Sequence, residues 1–339
     1  MDTKSLEKLF NKYYGEPVEE VYPLKGDGSD RQIYRLKNQK RSVIGIIGHN
    51  YSENAAFLSF SRHFRKFCLR VPEIYIDDLE NGIYLEEDLG DYTFIDWMSG
   101  IRAREGFSEQ IVNMYKKTIA QLPHFQIRAG RSIDFSYCYQ HIEFGSVSME
   151  WDLHYFKNRF LKIFYKRSVD ENAIEKDFQT LIEHLVEETR DNFLYRDFQS
   201  RNVMIRDDVP HFIDYQSGRK GALQYDLASI LYDAKANVPQ EVRERLVEFY
   251  LDQIQPFKPV NRDRFMEYFY GFVFMRIMQA FGAYGYLSQV KGKKGFLKSV
   301  PYAIRNVEIL LNKDTILSSM PALKRIFENL IRDPLLREF

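Results

Sequence analysis

Three oxygen-bearing side chains define the chemistry this chain can do: Asp197, Asn202 and Asp214. A carboxylate, a carboxamide and a second carboxylate in this order suit phosphoryl transfer from a nucleotide. One Asp orients an acceptor hydroxyl and takes its proton, while hard oxygen ligands hold a cation that screens phosphate charge. The pattern D-x-x-x-x-N is common by chance. Y-R-D-x-x-x-x-N followed by an apolar run, a turn, a second apolar run and an Asp is much rarer. Val203, Met204 and Ile205 form the first run, Phe212 and Ile213 the second, and Asp207-Asp208 the turn, a pattern that predicts a β-hairpin. A tight loop after Asp197 returns Asn202 to the same cleft, and the hairpin carries Asp214 back to it.

The elements that must position these residues fall into two blocks. A leading helix is expected over residues 5–14, strands over 18–24, 32–36, 42–47, 72–76 and 83–85, and a helix over 55–67. Asn81-Gly82 is a hairpin turn signal. The acidic run Glu86, Glu87, Asp88, Leu89, Gly90 and Asp91 ends this β-rich block, so two domains are expected, 1–90 and 91–339. Beyond the boundary, apolar stripes at helical spacing recur at 111–122, 156–164, 174–185, 242–250, 302–311 and 323–331. The apolar run over 265–287 resembles a membrane span, but Glu267 and Arg276 lie within it. A central Arg costs about 2.5–3.5 kcal/mol on insertion scales, so a long buried helix is the expectation. A small β lobe beside a larger helical one leaves a cleft, the usual place for a small-molecule site.

Composition excludes several classes. Lys+Arg and Asp+Glu balance at 48 each, so neither a nucleic acid nor a membrane is expected as partner. Cys68 and Cys138 make neither a disulfide framework nor a four-ligand zinc site. The first 14 residues are charged and amphipathic, without the apolar core of a signal peptide. A cytoplasmic protein is the expectation. The 27 Phe and 23 Tyr read as a bulky, Tyr-edged core rather than a base-stacking surface.

The stretches L-Y-R-D-F-Q-S-R-N-V-M-I, F-I-D-Y-Q-S-G and Y-D-L-A-S-I-L-Y-D resemble the aminoglycoside phosphotransferase/choline kinase group of protein-kinase-like enzymes. Within that group, G-D-G-S-D-R-Q-I-Y-R-L and R-D-F-Q-S-R-N are most similar to the bacterial N-acetylmuramate/N-acetylglucosamine anomeric kinases. The matching segments, 26–36, 84–90, 194–205, 212–218 and 225–233, keep the family order along nearly the whole chain. The resemblance implies an α+β, protein-kinase-like bilobal fold with a small β-rich N-lobe and a larger helical C-lobe that embeds the β-hairpin. It implies ATP and Mg²⁺, with Asp197 as catalytic base and Asn202 and Asp214 on the metal. It makes Gly26, Asp27, Gly28 and Ser29 the loop over the phosphates, where glycine lets backbone N–H groups approach. Glu86 and Asp88 would lie at the hinge that meets the adenine. Asp226 would be a buried carboxylate anchoring the catalytic loop; an N-terminal cap of the helix that follows is the equal alternative. The implied activity is a small-molecule kinase acting on an amino-sugar hydroxyl. An aminoglycoside, choline or other alcohol kinase is the alternative within enzymes, and a nucleotide-binding pseudokinase scaffold the alternative outside them.

The chain also departs from the family. Kinase-like folds place a Lys on the third strand to hold the α- and β-phosphates, and residues 42–47 contain none. Arg31, Arg35, Lys40 and Arg41 are near in sequence; Arg35 is the expected substitute, with Glu53 as its partner. Gln199 stands where relatives often have His, and Ser217 where the sugar kinases usually have Asp. Gln199, Arg201 and Gln216 are the candidate contacts to the acceptor.

Overall fold

The structure is a computed structural model that describes residues 3–24, 31–313 and 316–337. The expected phosphate loop, Gly26, Asp27, Gly28 and Ser29, lies outside the described residues. The chain opens with helix α1 (Lys4–Tyr14), then strands β1 (Glu20–Leu24), β2 (Gln32–Lys37) and β3 (Ser42–Ile47), helix α2 (Tyr51–Lys66), and strands β4 (Ile74–Asp78) and β5 (Ile83–Glu87). The strands form one antiparallel sheet in the order β1-β2-β3-β5-β4. Side-chain alternation splits β3 between two cores. Val43 and Ile47 join Ile83 and Leu85 beneath Leu6, Leu9 and Phe10 of α1. Ile44 and Ile46 face α2 and belong to the large core that continues into the rest of the molecule. Burial on both faces is why β3 reads as an unbroken apolar run.

Local chemistry sets the boundaries. Helix α2 starts at Tyr51, earlier than its apolar spacing predicts, because the Asn50 side chain accepts from Glu53 N and caps it. The Asn81-Gly82 signal marks a 3₁₀ turn, Leu79–Asn81, between the paired strands β4 and β5. Gly82 closes it at φ 66° and passes so near the Gly48 carbonyl that a Cβ would fall 2.2 Å from that oxygen.

Helices dominate after β5: α3 (Phe94–Glu105), α4 (Glu109–Ile119), α5 (Ser146–Tyr155) and α6 (Glu171–Val186). The wider π-type turns of Phe156–Tyr165 continue α5. Then come the short strand β6 (Asn192–Leu194), the hairpin β7 (Val203–Arg206) and β8 (Val209–Phe212), β9 (Arg219–Gly221), which pairs with β6, and helix α7 (Leu223–Leu231). The hairpin is where the sequence predicts it. Asp207 and Asp208 both take positive φ, 52° and 56°, as a two-residue hairpin turn requires. Helices α8 (Gln240–Ile254), α9 (Arg262–Gln289), α10 (Val300–Leu311) and α11 (Pro321–Arg332) complete the larger part. The fold is therefore α+β and bilobal in the protein-kinase manner. Helix α9 is the long apolar run, and none of the described helices is long and apolar enough to cross a membrane. Its Arg276 is buried and donates to Ser229 Oγ at 2.9 Å.

Candidate active site

The loop between β6 and β7 is suspended from one buried carboxylate. Asp226, in the first turn of α7, accepts from Tyr195 N at 2.9 Å, Arg196 N at 3.0 Å and Gln126 Nε2 at 3.0 Å. Burial pushes its carboxyl up to about 6, against the pull of those three donors. Helix α7 begins at Leu223 after Ala222, so Asp226 is no N-cap and the anchoring role alone fits its contacts. Arg196 adopts φ 80°. Its guanidinium reaches Asp152 Oδ1 at 2.7 Å and lies over the Phe144 ring at 4.8 Å. Burial opposes that charge, and Asp152 and Tyr225 outweigh it and raise the pKa. The residue before Asp197 is thus clamped in a left-handed conformation that only surrounding contacts can hold.

From this anchor the three oxygen-bearing residues converge. Asn202 Nδ2 donates to the Asp197 carbonyl at 2.9 Å and to Asp214 Oδ2 at 2.9 Å. Those bonds leave Asn202 Oδ1 as the amide's remaining hard acceptor. Asp214 sits at φ 70° just beyond the hairpin, and Ile213 N donates to Asn202 O at 3.1 Å, closing the two ends. An amide oxygen beside one carboxylate suits Mg²⁺, which takes few protein ligands and fills its shell with phosphate oxygens and water. Among the described residues no group of three or more His, Cys, Asp or Glu forms a richer metal site. Burial and the nearby Asp197 raise the Asp214 pKa, with Arg31, Gln216 and Arg201 opposing.

The cation beside this centre is Arg31, not Arg35. Arg31 Nε lies 3.4 Å from Glu53 Oε1, an Nη 3.6 Å from Asp214 Oδ1, and another donates to Tyr84 OH at 3.3 Å. Burial opposes its charge; Tyr84, Asp214, Glu53 and Glu86 together outweigh burial and raise its pKa. Arg35 instead forks onto Asp88 at 2.8 and 2.9 Å and reaches Asp91 at 2.8 Å. The expected Arg35–Glu53 pair is corrected accordingly: Glu53 belongs to Arg31. Asp88 also accepts from Ser42 Oγ at 2.5 Å and Gly90 N at 3.0 Å, so its side chain is committed to bracing the segment after β5. Glu86 points to the same face as Tyr84, and its Oε2 is enclosed without a partner. Burial pushes its carboxyl up to about 8.

A cavity of about 760 Å³ opens beside Asp197. Gln199 and Arg201 line it, as do Arg276, Gln279 and Tyr284 of α9. Gln216 does not: its Nε2 donates to Asp214 Oδ1 at 2.9 Å and approaches Glu53 Oε1 at 3.5 Å. Arg276 is the residue the sequence reading assigned no role at the site. Its Nη2 lies 3.8 Å from Asp197 Oδ1, and another nitrogen donates to Gln279. The signal was present, a lone cation in an apolar helix, but spacing alone cannot say what that cation faces.

The family model of the APH phosphotransferase enzymes matches residues 20–266. The N-acetylmuramate/N-acetylglucosamine kinase of Pseudomonas aeruginosa is 23% identical over 239 residues, a match covering 67% of this chain and 64% of that protein. The Pseudomonas putida protein of the same name is 24% identical over 259 residues, covering 74% of this chain and 71% of its own. Among solved structures, spectinomycin phosphotransferase in complex with ADP and spectinomycin superposes with a TM-score of 0.60 at 15% identity, over 96% of this chain and 99% of that one. The order of Asp197, Asn202 and Asp214, the fold that brings them together, and a family match over most of the length agree: the chain belongs to the phosphotransferase enzyme family.

Proposed function

We propose that this protein is an ATP- and Mg²⁺-dependent kinase that phosphorylates a hydroxyl of an N-acetylated amino sugar. The observation that carries the reading is the meeting of Asp197, Asn202 and Asp214, with Asp197 lining a cavity large enough for a sugar. Residues 1–90 then act as the nucleotide lobe and residues 91–339 as the catalytic and acceptor lobe. The ADP-bound neighbour supports the nucleotide, and the name shared by the two Pseudomonas relatives supports the amino sugar. A cytoplasmic location follows from the need for ATP.

Asp197 holds the acceptor hydroxyl and takes its proton as the oxygen attacks the γ-phosphorus, whose bond to the β,γ-bridging oxygen breaks to release ADP. Asn202 Oδ1 and Asp214 would hold Mg²⁺, which supplies charge screening to the phosphates when bound. Arg31, fixed by Glu53 and lying beside Asp214, takes the place of the missing strand Lys and neutralises donor phosphate charge. Arg276, near Asp197, orients the base or the acceptor.

The test is ADP release from Mg-ATP with N-acetylmuramate, N-acetylglucosamine, an aminoglycoside and choline offered in turn. Turnover of an N-acetyl sugar is expected, and Asp197→Ala should lower kcat by about 10³-fold or more. An aminoglycoside or choline as the sole acceptor would overturn the amino-sugar assignment. Full turnover by Asp197→Ala would overturn the role of the base, and nucleotide binding without any turnover would point to a scaffold.

A further inference from the structure

The charge on the cavity wall carries information that the catalytic residues do not. Among the described residues six cations line the cavity, Arg102, Arg201, Lys235, Arg276, Lys293 and Lys298, against three carboxylates. None of those carboxylates is placed to receive a cationic acceptor. Asp233 accepts from Ser200 N and Oγ through one oxygen and from Lys235 N through the other. Asp96 accepts from Thr93 Oγ1 in the first turn of α3. Asp197 is reserved for the hydroxyl. On the cationic side, the Arg201 and Lys298 side chains make no hydrogen bond or ion pair with any described residue. Lys293 precedes and Lys298 lies within the 3₁₀ segment Lys294–Ser299 that follows α9, and Phe296 between them adds an apolar patch to the same wall.

We propose that this wall is an anion subsite, with Arg201 and Lys298 as its specificity-determining residues, and that the preferred acceptor is a sugar carrying a carboxylate. The proposal rests on the kinase reading above and narrows its acceptor. A polycation such as an aminoglycoside, or a quaternary ammonium such as choline, would enter a cavity whose net charge repels it. A neutral N-acetyl sugar offers these cations no counter-charge, whereas a carboxylate substituent supplies one. N-acetylmuramate bears such a group on its lactyl ether; N-acetylglucosamine does not.

The experiment compares kcat/KM for N-acetylmuramate, its methyl ester, N-acetylglucosamine and N-acetylglucosamine 6-phosphate, each at low and at 0.5 M NaCl. N-acetylmuramate should exceed its ester and N-acetylglucosamine by about 10-fold or more at low salt, and high salt should shrink that gap several-fold by screening. Arg201→Gln and Lys298→Gln should each narrow the acid-to-ester ratio by about 3- to 10-fold, while Lys40→Gln, far from the cavity on the β2–β3 turn, should leave the ratio unchanged. Equal kcat/KM for acid and ester, or a ratio unmoved by both variants, overturns the subsite. A faster reaction with the 6-phosphate assigns the wall to phosphate and overturns the carboxylate. If no sugar is turned over, the kinase reading fails separately; thermal shifts with acid and ester in the presence of Mg-ADP then decide the subsite. A larger shift with the acid supports it, and equal or absent shifts overturn it.

Discussion

Arg35 lies in β2 and Arg31 immediately before it. The contacts divide their labour. Arg31 meets Glu53 and Asp214, and Arg35 meets Asp88 and Asp91. Arg31→Ala should therefore raise KM for ATP by about 10-fold, since on the proposed reading it removes a charge contact to phosphate. Arg35→Ala should instead lower stability by about 2–3 kcal/mol, because it leaves the half-buried Asp88 without its main partner. Kinetics and thermal melts on the two variants check the assignment, and the opposite pattern would return the phosphate role to Arg35. Glu86 makes a second prediction at this scale. Burial raises its pKa from 4.5 to about 8, with Glu87 adding to the rise and Arg31 opposing it. The folded state thus keeps a proton that the unfolded chain has lost between about pH 4.5 and 8, so stability is fullest below that window and falls as pH rises through it. Glu86→Gln should remove this slope. Its melting temperature should exceed that of the parent at pH 8.5, and the gap should close by pH 5.

Helix α9 matters at the scale of elements because it both closes the core and lines the cavity beside Asp197. It packs unusually close to the π-type turns that continue α5. A Cβ on Gly285 would fall 2.2 Å from the Arg159 carbonyl oxygen, and one on Gly282 would fall 2.6 Å from the Tyr155 ring. Gly285→Ala must push α9 away from that backbone. The expected cost is about 1–3 kcal/mol, measurable by urea unfolding. Because Ala283, Tyr284 and Leu287 line the cavity from the same turns, KM for the acceptor should rise while KM for ATP holds. The apolar period made the existence of α9 legible; the glycines inside it gave no hint of which neighbour they admit. Helix α3 carries a mixed pattern and α7 is buried on every side, so neither shows an amphipathic stripe. Short β6 and β9 were equally silent, since three residues cannot establish a period.

Helix α2 joins the two parts of the molecule into one core. Phe64 lies 4.9 Å from the Phe125 ring, 5.2 Å from Phe193 and 5.3 Å from Tyr215, while Phe57 stacks on Tyr84 of β5 at 5.6 Å and on Tyr215 at 5.1 Å. Apolar contacts therefore run without a break from the sheet to the catalytic hairpin. Phe64→Ala should destabilise the protein by about 3–5 kcal/mol. Intrinsic fluorescence and far-UV circular dichroism should still report one coincident unfolding transition; two separated transitions would mean the parts fold independently. On the sequence alone, the reaction chemistry and the main strands and helices were readable, because they depend on residue type and on periods of 2 and 3.6 that are local along the chain. The anchoring by Asp226, the pairing of Arg31 rather than Arg35 with Glu53, the placement of Gln216 beside Asp214 and the arrival of Arg276 beside Asp197 were decided by tertiary structure. Each joins residues from different elements, and one-dimensional spacing carries no information about which faces of those elements meet.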